Sequence, residues 1–209
     1  MIPEGLRRPI RKLILSTDVR KTLCAQIRRR KASLGVRGVR QLVSASNDTE
    51  LSKSMRSEAV DLIGLLALVG RLRKKQITEV VPTLTRIVAK EHRVLAWSAA
   101  VSLGYMDEPY SVSKLIRAAR KGIQRENRRA AIYALGALGD PRPVDLLVLV
   151  LRNRHEHPDL RAEAAQALAS CGRGSPDAIE ALSTALHDPS AEVRFSSATA
   201  LRTIRGGRL

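Results

Sequence analysis

Asn127-Arg128-Arg129-Ala130-Ala131-Ile132-Tyr133-Ala134-Leu135-Gly136-Ala137-Leu138-Gly139-Asp140-Pro141 reads as a helix followed by its own stop signal. Ala131, Leu135 and Leu138 recur at helical spacing, and the small residues around them allow close packing. Gly139 ends the helix; Asp140 is expected to cap the next one, with Pro141 at its first position. The unit returns downstream as Leu160-Arg161-Ala162-Glu163-Ala164-Ala165-Gln166-Ala167-Leu168 and as Val193-Arg194-Phe195-Ser196-Ser197-Ala198-Thr199-Ala200-Leu201. Upstream it is Leu95-Ala96-Trp97-Ser98-Ala99-Ala100-Val101-Ser102-Leu103-Gly104. The aligned leucines 103, 135, 168 and 201 are separated by 32, 33 and 33 residues.

An earlier copy, Met55-Arg56-Ser57-Glu58-Ala59-Val60-Asp61-Leu62-Ile63-Gly64, lies 40 residues before the next, with the surplus around Arg71 to Gln76. Val19-Arg20 opens the weakest copy. Between copies lies a second helix. Ile77, Val80, Val81, Leu84, Ile87 and Val88 fall on one helical face. Its equivalents are 111–124, 143–152 and 177–187. The run Val144 to Leu151 is apolar nearly all round apart from Asp145, and is expected to be covered on most sides. Ser175-Pro176 and Asp188-Pro189 repeat the turn chemistry of Asp140-Pro141.

A helix pair with one apolar face cannot bury that face alone, whereas a row of such pairs can. The expected fold is therefore all-α: a right-handed α-solenoid of about five to six stacked hairpins. Residues 18–209 form one solenoid domain with clear repeats over 55–206, preceded by a basic arm, 1–17, expected to be flexible. The low aromatic content, 2%, suits helices packed over small residues rather than sheets.

The unit of Asn127 to Pro141 resembles the HEAT repeats of the phycobilisome-lyase type, and the resemblance covers residues 55–206. It implies an armadillo-type fold and an architectural ladder between the Asp of a turn and the Arg of a following helix. The matching positions are Arg128, Arg161, Arg194, Asp140 and Asp188. Ala96 stands where one such Arg would be, with Arg93 as the candidate substitute. Relatives of this repeat type include chromophore-lyase subunits and DNA glycosylases, but no catalytic residue carries over from either.

The formal charge is +17 with a sequence pI of about 11.1, which predicts attraction to anions. It is concentrated at the front. Residues 1–55 carry 13 Lys and Arg against 4 Asp and Glu, residues 56–125 carry 13 against 6, and residues 126–209 carry 11 against 10. One basic group is the arm: Arg7, Arg8, Arg11 and Lys12, then Arg28, Arg29, Arg30 and Lys31. Another is Arg71, Arg73, Lys74 and Lys75, placed in the longer connection. The last is Lys114, Arg117, Arg120 and Lys121, a stripe on the polar side of a helix expected to line the concave surface. At the position of Lys114 the later repeats have Asp145 and Glu180.

Catalytic constellations are missing from the pattern. His155-Glu156-His157 has no third ligand at metal spacing. The glycines punctuate helices rather than form a phosphate loop. Cys24 and Cys171 are too few and too far apart for a disulfide framework, which suggests a reducing, cytoplasmic setting. A basic N-terminus leaves organelle import open. The expectation is a non-enzymatic scaffold without cofactor, metal or small-molecule substrate, binding an acidic protein through its basic surface within a larger assembly. The alternatives are backbone-led binding of RNA or duplex DNA, with few aromatics to stack on bases, and a chromophore-lyase-type subunit.

Overall fold

The computed structural model describes residues 36–68, 70, 72–106, 111–122 and 124–206. Ten helices lie among them: α1 Val36–Asn47, α2 Lys53–Leu68, α3 Lys74–Lys90, α4 Arg93–Gly104, α5 Val112–Lys121, α6 Arg125–Leu138, α7 Val144–Arg152, α8 Pro158–Cys171, α9 Pro176–Ala185 and α10 Ala191–Ile204. Consecutive helices pair as hairpins, and each hairpin packs on the next. Two layers result. The even layer runs α2, α4, α6, α8, α10, each helix against its neighbour; in the odd layer α1 meets α3, α3 meets α5 and α7 meets α9. The molecule is an α-solenoid.

The even layer is continuous because its facing residues are small. A Cβ on Gly136 would lie 2.8 Å from Ala167 Cα, one on Gly104 2.7 Å from Ala137 Cβ, and one on Gly64 2.3 Å from Ser102 Oγ. Backbones can approach this closely only where side chains are missing or end at Cβ. Ser102 Oγ also donates to Val60 O at 3.1 Å, a bond between layer neighbours. Larger aliphatics fill the space between the layers. Leu84, Ile87, Leu95, Leu115, Leu147, Leu160 and Leu182 are buried there, with the aligned Leu103, Leu135 and Leu168 at 0% exposure.

Helix ends follow local chemistry in some turns and not in others. Ser175 Oγ accepts from Ala178 N at 3.2 Å and Pro176 opens α9, as its sequence implies. Asp140 does not cap α7, which begins three residues beyond Pro141, at Val144. Its carboxylate instead accepts from Arg142 N at 2.9 Å and closes the turn. Gly139 takes the left-handed conformation at φ 65 that ends α6. The 40-residue step is also absorbed differently from its expected place. Lys74 and Lys75 lie in the first turn of α3, a helix of 17 residues, rather than in a long connection. Gln76 pulls them into the helix, its side chain accepting from Arg73 N at 2.9 Å.

One apolar helix is less covered than its composition suggests. Leu149 on α7 is 64% exposed beside the exposed Asp145. No helix among the described residues is long and apolar enough to cross a membrane.

Candidate functional site

The described basic residues fall into two populations with opposite surroundings. On α5, Val112, Leu115, Ala118 and Ala119 face the core, which turns Lys114, Arg117, Arg120 and Lys121 outward. All four are exposed, as are Arg73, Lys74 and Lys75 at the start of α3, the odd-layer neighbour of α5. Among the described residues, Arg117, Arg120, Lys121, Lys74 and Lys75 meet no carboxylate within ion-pairing distance. Lys74 and Lys75 also sit at the positive end of the α3 dipole, where cations are disfavoured and an anion would be welcome. Arg71 and the whole basic arm, Arg7, Arg8, Arg11, Lys12, Arg28, Arg29, Arg30 and Lys31, lie outside the described residues. So does Cys24. Further along the odd layer the sign reverses: Asp145 on α7 and Asp177 and Glu180 on α9 are exposed, with Arg152 pairing to Glu180 at 3.2 Å.

The second population is built into the stack. The second residue of the repeat motif in an even helix reaches back to a carbonyl of its own hairpin and forward to a carboxylate of the next. Arg56 donates to Ser46 O at 3.1 Å and to Glu91 Oε1 at 2.8 Å. Arg128 donates to Ala119 O at 2.9 Å and, through both terminal nitrogens, to Glu156. Arg161 donates to Glu156 O and grips Asp188 at 3.2 and 2.9 Å. Among the described residues Arg194 reaches only carbonyls, Asp188 O at 2.7 Å and Pro189 O at 2.9 Å. The two-pronged fork of Arg suits this role, and Lys could not fill it.

The forward carboxylates all come from the turn that precedes an even helix, so Asp140, in the opposite turn, is not among them. It pairs with Arg142 in its own turn, at 2.8 and 2.7 Å. Sequence reading missed Glu91, Glu156 and Arg56. The signal was available: Glu91 stands five residues before the motif position of Ala96, and Glu156 five before Arg161. At Ala96 the rung is absent. Arg93 does not replace it, being exposed and acting on Glu126 only through its charge. Asn127 instead satisfies the end of α3, donating to Val88 O at 2.9 Å and Glu91 O at 2.8 Å.

These pairings set the carboxyl chemistry. Hydrogen bonds from Arg128 hold Glu156 below its ordinary range. At Asp188 burial works against ionisation, but Arg161 and the Ser190 amide outweigh it and the carboxyl titrates low. Glu163 behaves oppositely: burial pushes it up despite the ion pair with Arg129 at 2.9 Å. Arg129 also lies 5.5 Å over the Trp97 ring, and Trp97 stacks at 4.9 Å on Tyr133. This cluster joins α4, α6 and α8 and holds two of the chain's few aromatics. Cys171 is buried, bonds to Leu135 O at 3.4 Å, and has its thiol pushed up to about 12 by burial, so it is a packing residue. Among the described residues no group of three or more His, Cys, Asp or Glu is placed to hold a metal.

Comparison with known proteins bears on both fold and activity. Deoxyhypusine hydroxylase of Rattus norvegicus is 36% identical over 72 residues, which are 34% of this chain and 23% of that enzyme. The chain therefore matches less than a quarter of that relative's length. The phycocyanin lyase CpcE–CpcF complex of Nostoc sp. PCC7120 has a similar structure, with a TM-score of 0.62 at 20% identity over 80% of this chain and 65% of that one. Human deoxyhypusine hydroxylase gives a TM-score of 0.51 at 20% identity over 82% and 75% of the two chains. The hydroxylase match corrects the expectation of a non-enzymatic protein. The missing motifs had suggested it, yet repeats of this kind form part of an enzyme in the rat protein. The family model of HEAT repeats matches residues 81–154 and 144–208. The chain belongs to the HEAT-repeat family.

Proposed function

We propose that this HEAT-repeat protein is a docking scaffold whose outward face on α3 and α5 binds an acidic segment of a partner protein. One observation carries the reading. The arginines Arg56, Arg128 and Arg161 are each matched to a carboxylate, whereas Arg117, Arg120 and Lys121 are exposed on one helical face with none. A fold that pairs its buried arginines so thoroughly has left these cations for something outside itself. The sign reversal towards Asp145 and Glu180 gives the face a direction, which favours one orientation of an asymmetric charged ligand.

The test is affinity capture from a lysate with the full chain and with Lys114→Glu/Arg117→Glu, each with and without nuclease. The reading expects acidic proteins retained by the parent after nuclease and lost with the variant. Retention by the variant overturns it. Retention that vanishes with nuclease transfers the face to nucleic acid, whose affinity should then fall steeply with salt.

A second reading comes from the 36% match to deoxyhypusine hydroxylase: a hydroxylating activity on a deoxyhypusine-bearing protein. It is tested by mass spectrometry of such a substrate after aerobic incubation with the chain and a two-electron reductant, dioxygen giving one oxygen atom to the substrate and the other to water. A gain of one oxygen supports it, and an unchanged mass refutes it.

A further inference from the structure

The outer face of α10 breaks the pattern of the even layer. At the third motif position Ser57 is buried, Trp97 stacks on Tyr133, Arg129 pairs with Glu163 and Ala162 is 1% exposed, but Phe195 is 74% exposed. At the sixth position Val60, Ala100, Ile132 and Ala165 are fully buried, whereas Ala198 is exposed. The following even helix covers these positions in α2, α4, α6 and α8; on α10 nothing among the described residues does. The face left uncovered carries the chain's single Phe.

The exposed stripe has an order of its own. Glu192, Phe195, Ala198, Arg202 and Arg205 are all exposed and recur at intervals of three and four along one side of α10 and its C-cap. The acid is at the N-terminal end, the bases are at the C-terminal end and the smallest residue is in the middle. Such a face complements itself when inverted. We propose that it pairs with α10 of a second copy of this chain, antiparallel and about a two-fold axis near Ala198. Glu192 lies six residues before Ala198 and Arg205 seven after it. At 1.5 Å per residue these are about 9 and 10.5 Å from the crossing, so each Glu192 faces the other copy's Arg205. Phe195, about 4.5 Å from the crossing, lies against the aliphatic stem and guanidinium of Arg202 in the other copy, about 6 Å from it. Ala198 lets the two backbones approach. An isologous contact needs this self-complementarity, in which each residue meets its counterpart's partner.

One helix pair buries a small interface, so a weak, concentration-dependent dimer is expected. Sedimentation equilibrium of the full chain over a hundredfold concentration range tests the proposal. The parent should shift from monomer to dimer. Phe195→Glu should weaken dimerisation at least tenfold, with helicity unchanged by circular dichroism because the residue is exposed. Glu192→Arg alone and Arg202→Glu/Arg205→Glu alone should each weaken it, and the three together should restore it. A parent that stays monomeric throughout overturns the proposal. So does a dimer indifferent to Phe195→Glu, which would place the contact elsewhere, or a monomer whose α10 face captures a different protein. None of these outcomes touches the α3–α5 reading, whose residues lie on the other layer.

Discussion

Asp188 shows how much one residue does in a repeat stack. Its carboxylate takes both prongs of Arg161, accepts from Ser190 N at 2.8 Å, and is 2% exposed. Replacing it with Asn removes the carboxylate that the buried Arg161 guanidinium grips. The expected cost at neutral pH is about 3–5 kcal/mol, the usual penalty for removing one partner of a buried pair. The pH dependence has a definite sign. A carboxyl whose folded value lies below its ordinary 3.8 stabilises the fold above that value, and the contribution fades as pH falls through the folded value. Glu156 acts in the same direction. Glu163, titrating high, contributes stability at low pH that is lost as pH rises through its folded value. Urea titration of parent and Asp188→Asn at neutral pH and near pH 3 should therefore show a large gap that narrows on acidification.

Two kinds of contact hold the helices in order. Aliphatic side chains between the layers supply most of the burial, and small residues within the even layer set its spacing. The second kind is the less tolerant at Gly136, whose nearest neighbour is backbone. A Cβ at Gly136 would meet Ala167 Cα at 2.8 Å and Cβ at 2.9 Å. Gly136→Ala raises helix propensity, which taken alone would stabilise α6 by up to about 1 kcal/mol. The clash should dominate, costing about 1–3 kcal/mol and lowering the thermal midpoint. A midpoint that rises instead would mean that α6 and α8 have room to part. Leu149 offers a contrast: on the odd layer a large apolar residue stands 64% exposed.

Across the whole molecule, the arginines divide into two sets. Those of the rungs are fixed between hairpins, and those of α5 project from the surface. Reversing charge at Arg117 and Arg120 removes like-charge repulsion from a chain of net charge +17 and breaks no ion pair among the described residues. Arg117→Glu/Arg120→Glu should thus stay within about 0.5 kcal/mol of the parent, as surface changes usually do, while abolishing capture of an acidic partner. Chemical denaturation beside the capture assay separates the two effects. A strongly destabilised double variant would show that α5 is part of the scaffold rather than of a docking face.

The amino-acid sequence by itself determined the hairpin period, the buried leucines 103, 135 and 168, the small-residue faces and the outward turn of Lys114 to Lys121. All of these follow from helical periodicity, a property of neighbours in the chain. Only the tertiary structure decided which acid meets which arginine. Asp140 and Glu156 are both acids in turns, but the turns lie at opposite ends of the hairpins, and only the end holding Glu156 faces the guanidinium of Arg128. It also decided that Phe195, equivalent in sequence to the buried Ala162, is bare. Burial in a stack depends on what lies over a helix, and a helix's own sequence does not record its neighbour.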